Sequence, residues 1–300
     1  MSNILVTGGS GFIGSSFVQY LKNKSNCKVL FPNSKELDLL NTIKTKKFFE
    51  KNKVDYVIHA ANHHYHVRDK MSKEPETQMT NNLTMFFNLF SNHNNYKRLI
   101  NFGSGAEYPR RIWNERIKEN DIGDSVPDDQ YGQSKYIINE FIKNRKSQKL
   151  INLRLFGVFG ENDNWTYRFI PNMCAHIILK KDLVINQNAI FDFLYIKDVI
   201  KTTLRILNKK VSYFDFNLCS GKAYELTDIA NKIIKISDQK DLRVKVKNSR
   251  IITRYGGNNS RIRKNGCLIN QTPLDKSIKY VFNHLLKNKR KLNYKDFQIK

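Results

Sequence analysis

Apolar positions in the first half of the chain alternate between short unbroken blocks and stripes at helical spacing. NILVTG (3–8) hardly alternates with polar residues, the mark of a strand buried on both faces. A glycine turn follows, and then apolar residues at helical spacing from Phe12 to about Lys22. CKVLF (27–31) reads as a second strand, and residues 42–52 as a short helix with Ile43, Phe48 and Phe49 on one side. VDYVIHAA (54–61) is a third strand, again apolar on both faces. Met79, Leu83, Phe86, Phe87 and Phe90 give residues 77–93 a helical period. KRLINFGS (97–104) predicts a strand, 131–145 a helix, and KLINLRLF (149–156) a further strand. Strands alternating with helices at this spacing predict an α/β fold around a doubly wound parallel sheet. Beyond residue 160 the order becomes irregular. A smaller mixed α/β portion is expected over 161–300, with the chain returning to the first unit (1–160) near 190–205.

The turn after the first block gives that fold a chemistry. TGGSGFIG (7–14) places Gly8, Gly11 and Gly14 between a strand and a helix, where they let the backbone approach a pyrophosphate seated on the helix N-terminus. Thr7, Ser10, Phe12 and Ile13 complete this Rossmann-type dinucleotide site. An acidic residue after the second strand would bind the free ribose hydroxyls of NAD. FPNSKELDLL (31–40) instead has Asn33, Ser34 and Lys35 there, which suit a 2′-phosphate, so NADPH is expected, with NADH as the alternative. Asp38 and Leu39 are expected to flank the adenine.

Composition narrows the class. With 40% hydrophobic and 12% aromatic residues in 300, the chain is an ordinary globular protein. No apolar run approaches the ~18–20 residues that span a bilayer, and the opening strand predicts no secretion signal. Four scattered cysteines make neither a disulfide framework nor a zinc site and suit a reducing cytoplasm. The net charge of +25 raises the alternative of a basic RNA-binding or scaffold protein. The lysines are spread along the whole chain, however, which predicts no nucleic-acid partner but a field that attracts anionic small molecules. ANHHYHVR (61–68) holds His63, His64 and His66 with no nearby carboxylate cluster, so the loop is expected to line the crevice and hold no metal.

YGQSK supplies Tyr131 and Lys135, four apart and therefore on one helix face. A phenol is a poor acid–base catalyst at neutral pH until a neighbouring ammonium stabilises its phenolate. With TGGSGFIG, HAA (59–61), Asn82, Ser104, YGQSK, LRLFGVFG (153–160), FDFLYIKDV (191–199) and RIRKNGCLINQTPLDKSI, the chain resembles an extended short-chain dehydrogenase/reductase of the NAD-dependent epimerase/dehydratase family. Within it, ELDLL and VIHAA are most similar to the GDP-fucose synthase-like 4-keto-sugar reductases.

The resemblance implies a catalytic Ser104–Tyr131–Lys135 set, with Ala60, Ala61 and Asn82 added to the cofactor site. It implies substrate contacts from Ser104, Gly105, Glu107, Arg168 and Asn172, and a nucleoside-diphosphate sugar as partner, with GDP favoured over CDP, dTDP or UDP. Met85, Phe86, Phe87, Leu89 and Phe90, with Tyr136, Ile137, Ile138 and Phe141, are too apolar for a solvent face; core packing is expected to take some of them, and the resemblance implies a homodimer seam that buries the rest. Gly105 and Ala106 stand where a dehydratase of the family has an Asp-Glu pair, which argues against dehydration. Ala106 and Arg168 stand where the fucose synthase has its cysteine and histidine proton shuttles, which argues against epimerisation at C3 and C5. The family's asparagine after Arg154 is Gly157, and its arginine before FLY gives way to Ile190 and Phe191 near Asp192, so the diphosphate is expected on Arg168, Arg261 or Arg263. The expected activity is NADPH-dependent reduction of a C4 ketone. An NAD-dependent nucleotide-sugar 4-epimerase is the alternative.

Overall fold

A computed structural model describes residues 1–63, 65, 74–123, 125–239, 241–293 and 295. His64 and His66 lie outside the described residues. In chain order the elements are β1 (Ser2–Thr7), α1 (Phe12–Lys22), β2 (Cys27–Leu30), α2 (Thr42–Lys51), β3 (Tyr56–His59), α3 (Gln78–Phe90), β4 (Arg98–Ser104), α4 (Gln130–Arg145), β5 (Leu150–Leu155) and β6 (Gly157–Phe159). They continue with α5 (Phe169–Ile178), β7 (Leu183–Tyr195), α6 (Ile196–Leu207), β8 (Asp215–Leu218), β9 (Ala223–Glu225), α7 (Leu226–Ser237), β10 (Val244–Tyr255), α8 (Ser260–Lys264) and α9 (Leu274–Lys287).

Six parallel strands form the main sheet in the order β2-β1-β3-β4-β5-β8. The lack of alternation noted in the sequence is explained by the packing. Ile4 and Val6 of β1, Ile58 of β3, Ile100 of β4 and Ile151 and Leu153 of β5 face one apolar cluster, which α1 and α6 cover. Leu5, Val57, Leu99 and Leu150, one residue out of phase, face the other cluster, built with α2, α3 and α4. Both faces of each strand are therefore apolar, and the expected doubly wound sheet is what forms. A smaller mixed sheet runs β10-β7-β6 in parallel, with β9 antiparallel to β7. It is packed on α5, α7 and α9.

Helix α6 packs on α1. Strand β8, late in the chain, lies beside β5 in the main sheet. Four of the nine apolar residues named on α3 and α4, Met85, Phe86, Leu89 and Ile138, are buried in the core, and the partly exposed Phe141 meets the rings of Phe86, Phe87 and Phe90 where α3 packs on α4. Among the described residues no helix is long and apolar enough to cross a membrane.

Candidate active site

Because β2 lies on one side of β1 and β3 on the other, a crevice opens above their carboxyl ends. Backbone geometry there suits a dinucleotide. Gly8 has φ +67°, and a Cβ on it would stand 2.6 Å from the Ala61 nitrogen. A Cβ on Gly14 would overlap the Gly8 carbonyl oxygen. The α1 N-cap is Gly11, with no side-chain cap and no acidic residue in the first turn. The first-turn amides of Phe12 and Ile13 thus have neither an intrahelical carbonyl nor a capping oxygen, and the helix end is unopposed by a carboxylate. Thr7 Oγ1 accepts the Ala61 amide at 3.2 Å and lies 2.8 Å from His59 Nδ1, tying β1 to the end of β3. Burial, reinforced by Lys135, lowers the His59 pKa to about 3, so its ring is neutral.

Asn33, Ser34 and Lys35 form an exposed turn after β2, closed by Asn33 Oδ1 accepting the Lys35 amide at 2.9 Å. Asp38 Oδ1 accepts the Leu40 amide at 3.1 Å, and Leu39 is buried. The loop after β3 is held from below: Asn82 Oδ1 accepts the His63 amide at 2.7 Å, and His63 Nδ1 and Nε2 engage Asn81 and the Glu74 carbonyl. His63 is accordingly a buried strut of that loop. Among the described residues no group of three or more His, Cys, Asp or Glu side chains is placed to hold a metal ion.

Ser104 ends β4 and Tyr131 stands in the first turn of α4, whose N-cap Asp129 accepts the Gly132 amide at 2.8 Å. Lys135, one turn on, donates to the Phe102 carbonyl at 3.0 Å and lies 5.7 Å from the centre of the Tyr131 ring. Burial pushes the Lys135 pKa down to about 8. Burial raises the pKa of Tyr131, and a hydrogen bond from Ser104 opposes that rise. The three residues expected to act together are therefore neighbours.

Glu107 departs from expectation. It was expected to touch substrate and is instead completely buried. Its Oε1 accepts the Ser104 amide at 3.1 Å while Ser104 Oγ accepts the Ala106 amide at 3.1 Å, so S-G-A-E is a capping box on a short 3-10 turn over Gly105–Glu107. Asn152 Nδ2 donates to both carboxylate oxygens, at 3.1 and 3.2 Å, and Arg154 Nε reaches Oε2 at 2.5 Å. Burial raises the Glu107 pKa against the pull of Arg154 and these N–H donors. From Arg154 the charges continue to Asp215 at 2.8 Å, and from Asp215 to Arg261 at 2.8 Å. Arg261, expected on a diphosphate, is thereby engaged within the fold and also lies 3.7 Å from Glu119. Arg263 is exposed on α8.

Gly105 is also not an open substrate surface: it is buried, and a Cβ there would overlap the Tyr255 hydroxyl. Arg168 caps α5 with its guanidinium 3.6 Å from Asp163, and its charge favours the Tyr131 phenolate. Asn172 donates to the Trp165 and Thr166 carbonyls at 3.0 and 2.9 Å and so shapes the loop leading to Arg168. Asp192 accepts the amides of Ser220 and Gly221, a structural use of that buried carboxylate.

Fold and site together define an NAD(P)-binding oxidoreductase. Residues 4–219 match the family described as NAD dependent epimerase/dehydratase family, and the chain belongs to it. It is 25% identical over 250 residues to a GDP-6-deoxy-D-talose 4-dehydrogenase of Aggregatibacter actinomycetemcomitans, covering 78% of this chain and 80% of that protein. A UDP-glucose 4-epimerase of Thermotoga maritima, solved with UDP-glucose, superposes with a TM-score of 0.81 at 19% identity, covering 95% of this chain and 99% of that one. A GDP-L-fucose synthetase of Naegleria fowleri bound to NADP gives 0.79 at 22% identity, covering 97% and 95%. These likenesses spread over several activities, so no single branch of the family is marked out.

Proposed function

We propose that the chain exchanges a hydride at C4 of a nucleoside-diphosphate sugar. The observation that carries the reading is the convergence of Ser104, Tyr131 and Lys135 beside the glycine-lined crevice. The amides of Phe12 and Ile13 would hold the pyrophosphate of a nicotinamide dinucleotide, which when bound supplies or takes up the hydride. Tyr131 passes a proton to, or takes it from, the oxygen on C4. Lys135, charged below about pH 8, favours the phenolate form of Tyr131, and Ser104 donates a hydrogen bond to the same sugar oxygen. Arg168 faces the site with the charge to bind a phosphate or sugar oxygen.

Of the two outcomes of this step, epimerisation at C4 has the wider support among the relatives and neighbours, which include UDP-glucose 4-epimerases of Mycoplasma genitalium, Thermotoga maritima and Thermus thermophilus. Net reduction of a 4-keto sugar with NADPH is the second reading. It is favoured by the exposed Asn33-Ser34-Lys35 turn, which offers a cation and no carboxylate to a ribose 2′-phosphate. In either case Ala106 and Arg168 leave no proton shuttle for C3 or C5. GDP stands in the names of two relatives, a GDP-6-deoxy-D-talose 4-dehydrogenase and a GDP-L-colitose synthase, and is proposed first. The partly exposed rings of Phe87, Phe90 and Phe141, with Ile137, support a homodimer through α3 and α4. The four free thiols, three of them buried, fit a reducing cytoplasm.

Incubation with UDP-glucose and with GDP- and dTDP-linked 4-keto-6-deoxyhexoses in D₂O, followed by NMR, tests the reading. Epimerisation gives a C4 epimer with cofactor retained on the protein and no net NADPH use. Reduction consumes one NADPH per sugar. Deuterium entering C3 or C5 would remove the claim about Ala106 and Arg168, and no turnover of any of these sugars would remove the C4 reading.

A further inference from the structure

The sequence singled out Gly105 as odd, and the function proposed above gives it no task. The structure gives it a neighbour from the far end of the chain. Tyr255 is the last residue of β10, 150 positions away, and it is 8% exposed. Its ring is held by Trp113, Phe156 and Phe191, with centroids at 4.5, 5.1 and 5.5 Å. The backbone beyond it is clamped as well: Ile117 donates to the Gly256 carbonyl at 3.1 Å, and Asn258 donates to the Ile117 carbonyl at 2.8 Å. Gly256 and Gly257 make that approach feasible, since a Cβ on either would collide with the Glu115 carbonyl or with Cys219 and Phe156. The result of this packing is a phenol driven onto Gly105, beside Ser104, where only a glycine leaves room for the hydroxyl.

We propose that Tyr255 is a positioning residue of this site: its hydroxyl, seated over Gly105 inside the aromatic cluster, fixes the Ser104 hydroxyl so that its proton points toward Tyr131 and the sugar oxygen. The inference rests on the C4 reading above for its consequence in catalysis, and on geometry alone for the placement. A serine hydroxyl has one proton and two acceptor positions. Ser104 Oγ already accepts the Ala106 amide at 3.1 Å. A hydrogen bond accepted from Tyr255 occupies the second position and leaves the proton as the only group that Ser104 can offer. Burial raises the pKa of Tyr255, so at neutral pH it keeps the proton it needs to be that donor. Gly105 is then required by Tyr255, which explains why the residue after the serine has no side chain.

Tyr255→Phe tests this cleanly, because the ring and its packing remain and only the oxygen leaves. Protein labelled with [ζ-¹³C]tyrosine, with the Tyr131 resonance assigned by Tyr131→Phe, gives a readout that needs no substrate. At neutral pH that resonance should move in Ser104→Ala and move in the same direction in Tyr255→Phe and Gly105→Ala. The melting temperature of Tyr255→Phe should fall by no more than a few degrees, as for the loss of one buried hydrogen bond. With whichever of the sugars above is turned over, Tyr255→Phe should lower kcat roughly tenfold with KM little changed. In the Ser104→Ala background it should then cost nothing further, because it acts through Ser104. A Tyr131 resonance unmoved by Tyr255→Phe overturns the proposal, and so does an effect that adds fully to that of Ser104→Ala. A change in KM alone would place Tyr255 on the substrate instead and overturns it too. If no sugar is turned over, the C4 reading fails while the resonance still decides the placement of Tyr255.

Discussion

Lys135 and Arg154 are two buried cations on either side of the same strand end, and they have opposite fates. Lys135, on α4, makes its hydrogen bond to a backbone carbonyl, and among the described residues no carboxylate lies within ion-pair distance of it. Burial therefore outweighs the more distant charge of Glu107 and brings its pKa down to about 8. Arg154, on β5, lies between Glu107 at 2.5 Å and Asp215 at 2.8 Å and over the Tyr108 ring at 5.3 Å. Its charge is neutralised on both sides and held above its ordinary pKa. A buried charge supplied with counter-charges becomes scaffold, whereas one left without them keeps a field that can act on a neighbouring phenol. Glu107 links the two settings, bracing Ser104 through its amide while it neutralises Arg154.

The largest test of this contrast is Arg154→Met. It strands Glu107 as a buried carboxylate and leaves Asp215 with Arg261 alone, and the expected loss is about 3–5 kcal/mol of stability by urea unfolding. A variant as stable as the parent would show that the charge chain is not structural. Lys135→Met should do the reverse. Turnover should fall by about 10²–10⁴ with cofactor and substrate present, as for loss of a partner in acid–base catalysis, while the free protein gains stability. The sign follows from linkage: a lysine whose folded pKa lies below its unfolded value costs stability while both states are protonated. That cost disappears as the pH rises from about 8 toward 10.5. The gain from Lys135→Met should thus be on the order of 1–3 kcal/mol at pH 7 and fade by about pH 10; a gain that does not change with pH would point to packing instead. The smallest effect is expected at the outer end of the chain of charges. Arg261→Met should cost about 1 kcal/mol, because its side chain is partly exposed and Asp215 keeps Arg154. A loss as large as that of Arg154→Met would mean that the chain acts as one unit.

Much of the dinucleotide half is legible in the sequence. TGGSGFIG is a local signal: strand, turn and helix start within eight residues, and the glycines are required by contacts made nearby in the fold. YGQSK is local too, since a spacing of four fixes a shared helix face wherever the helix docks. Glu107 was misread because its partners come from β5, and the clue to them was present in LINLRL. Asn152 and Arg154 alternate with leucines on a strand buried on both faces, and such polar groups need partners. That pattern implies a buried carboxylate nearby without saying which one.

By itself, then, the sequence determined the parallel sheet, the glycine turn after the first strand and the shared helix face of Tyr131 and Lys135, because each depends on spacing within one or two adjacent elements, whereas Ser104 was added by the family resemblance. Only the tertiary structure decided the rest. It carried β8 back beside β5 so that Asp215 meets Arg154, turned Glu107 inward, engaged Arg261 in the fold and brought Tyr255 onto Gly105. Those contacts join residues from about 50 to 150 positions apart, and no periodicity in a single chain encodes which distant side chain will fill a space that only the packed fold creates.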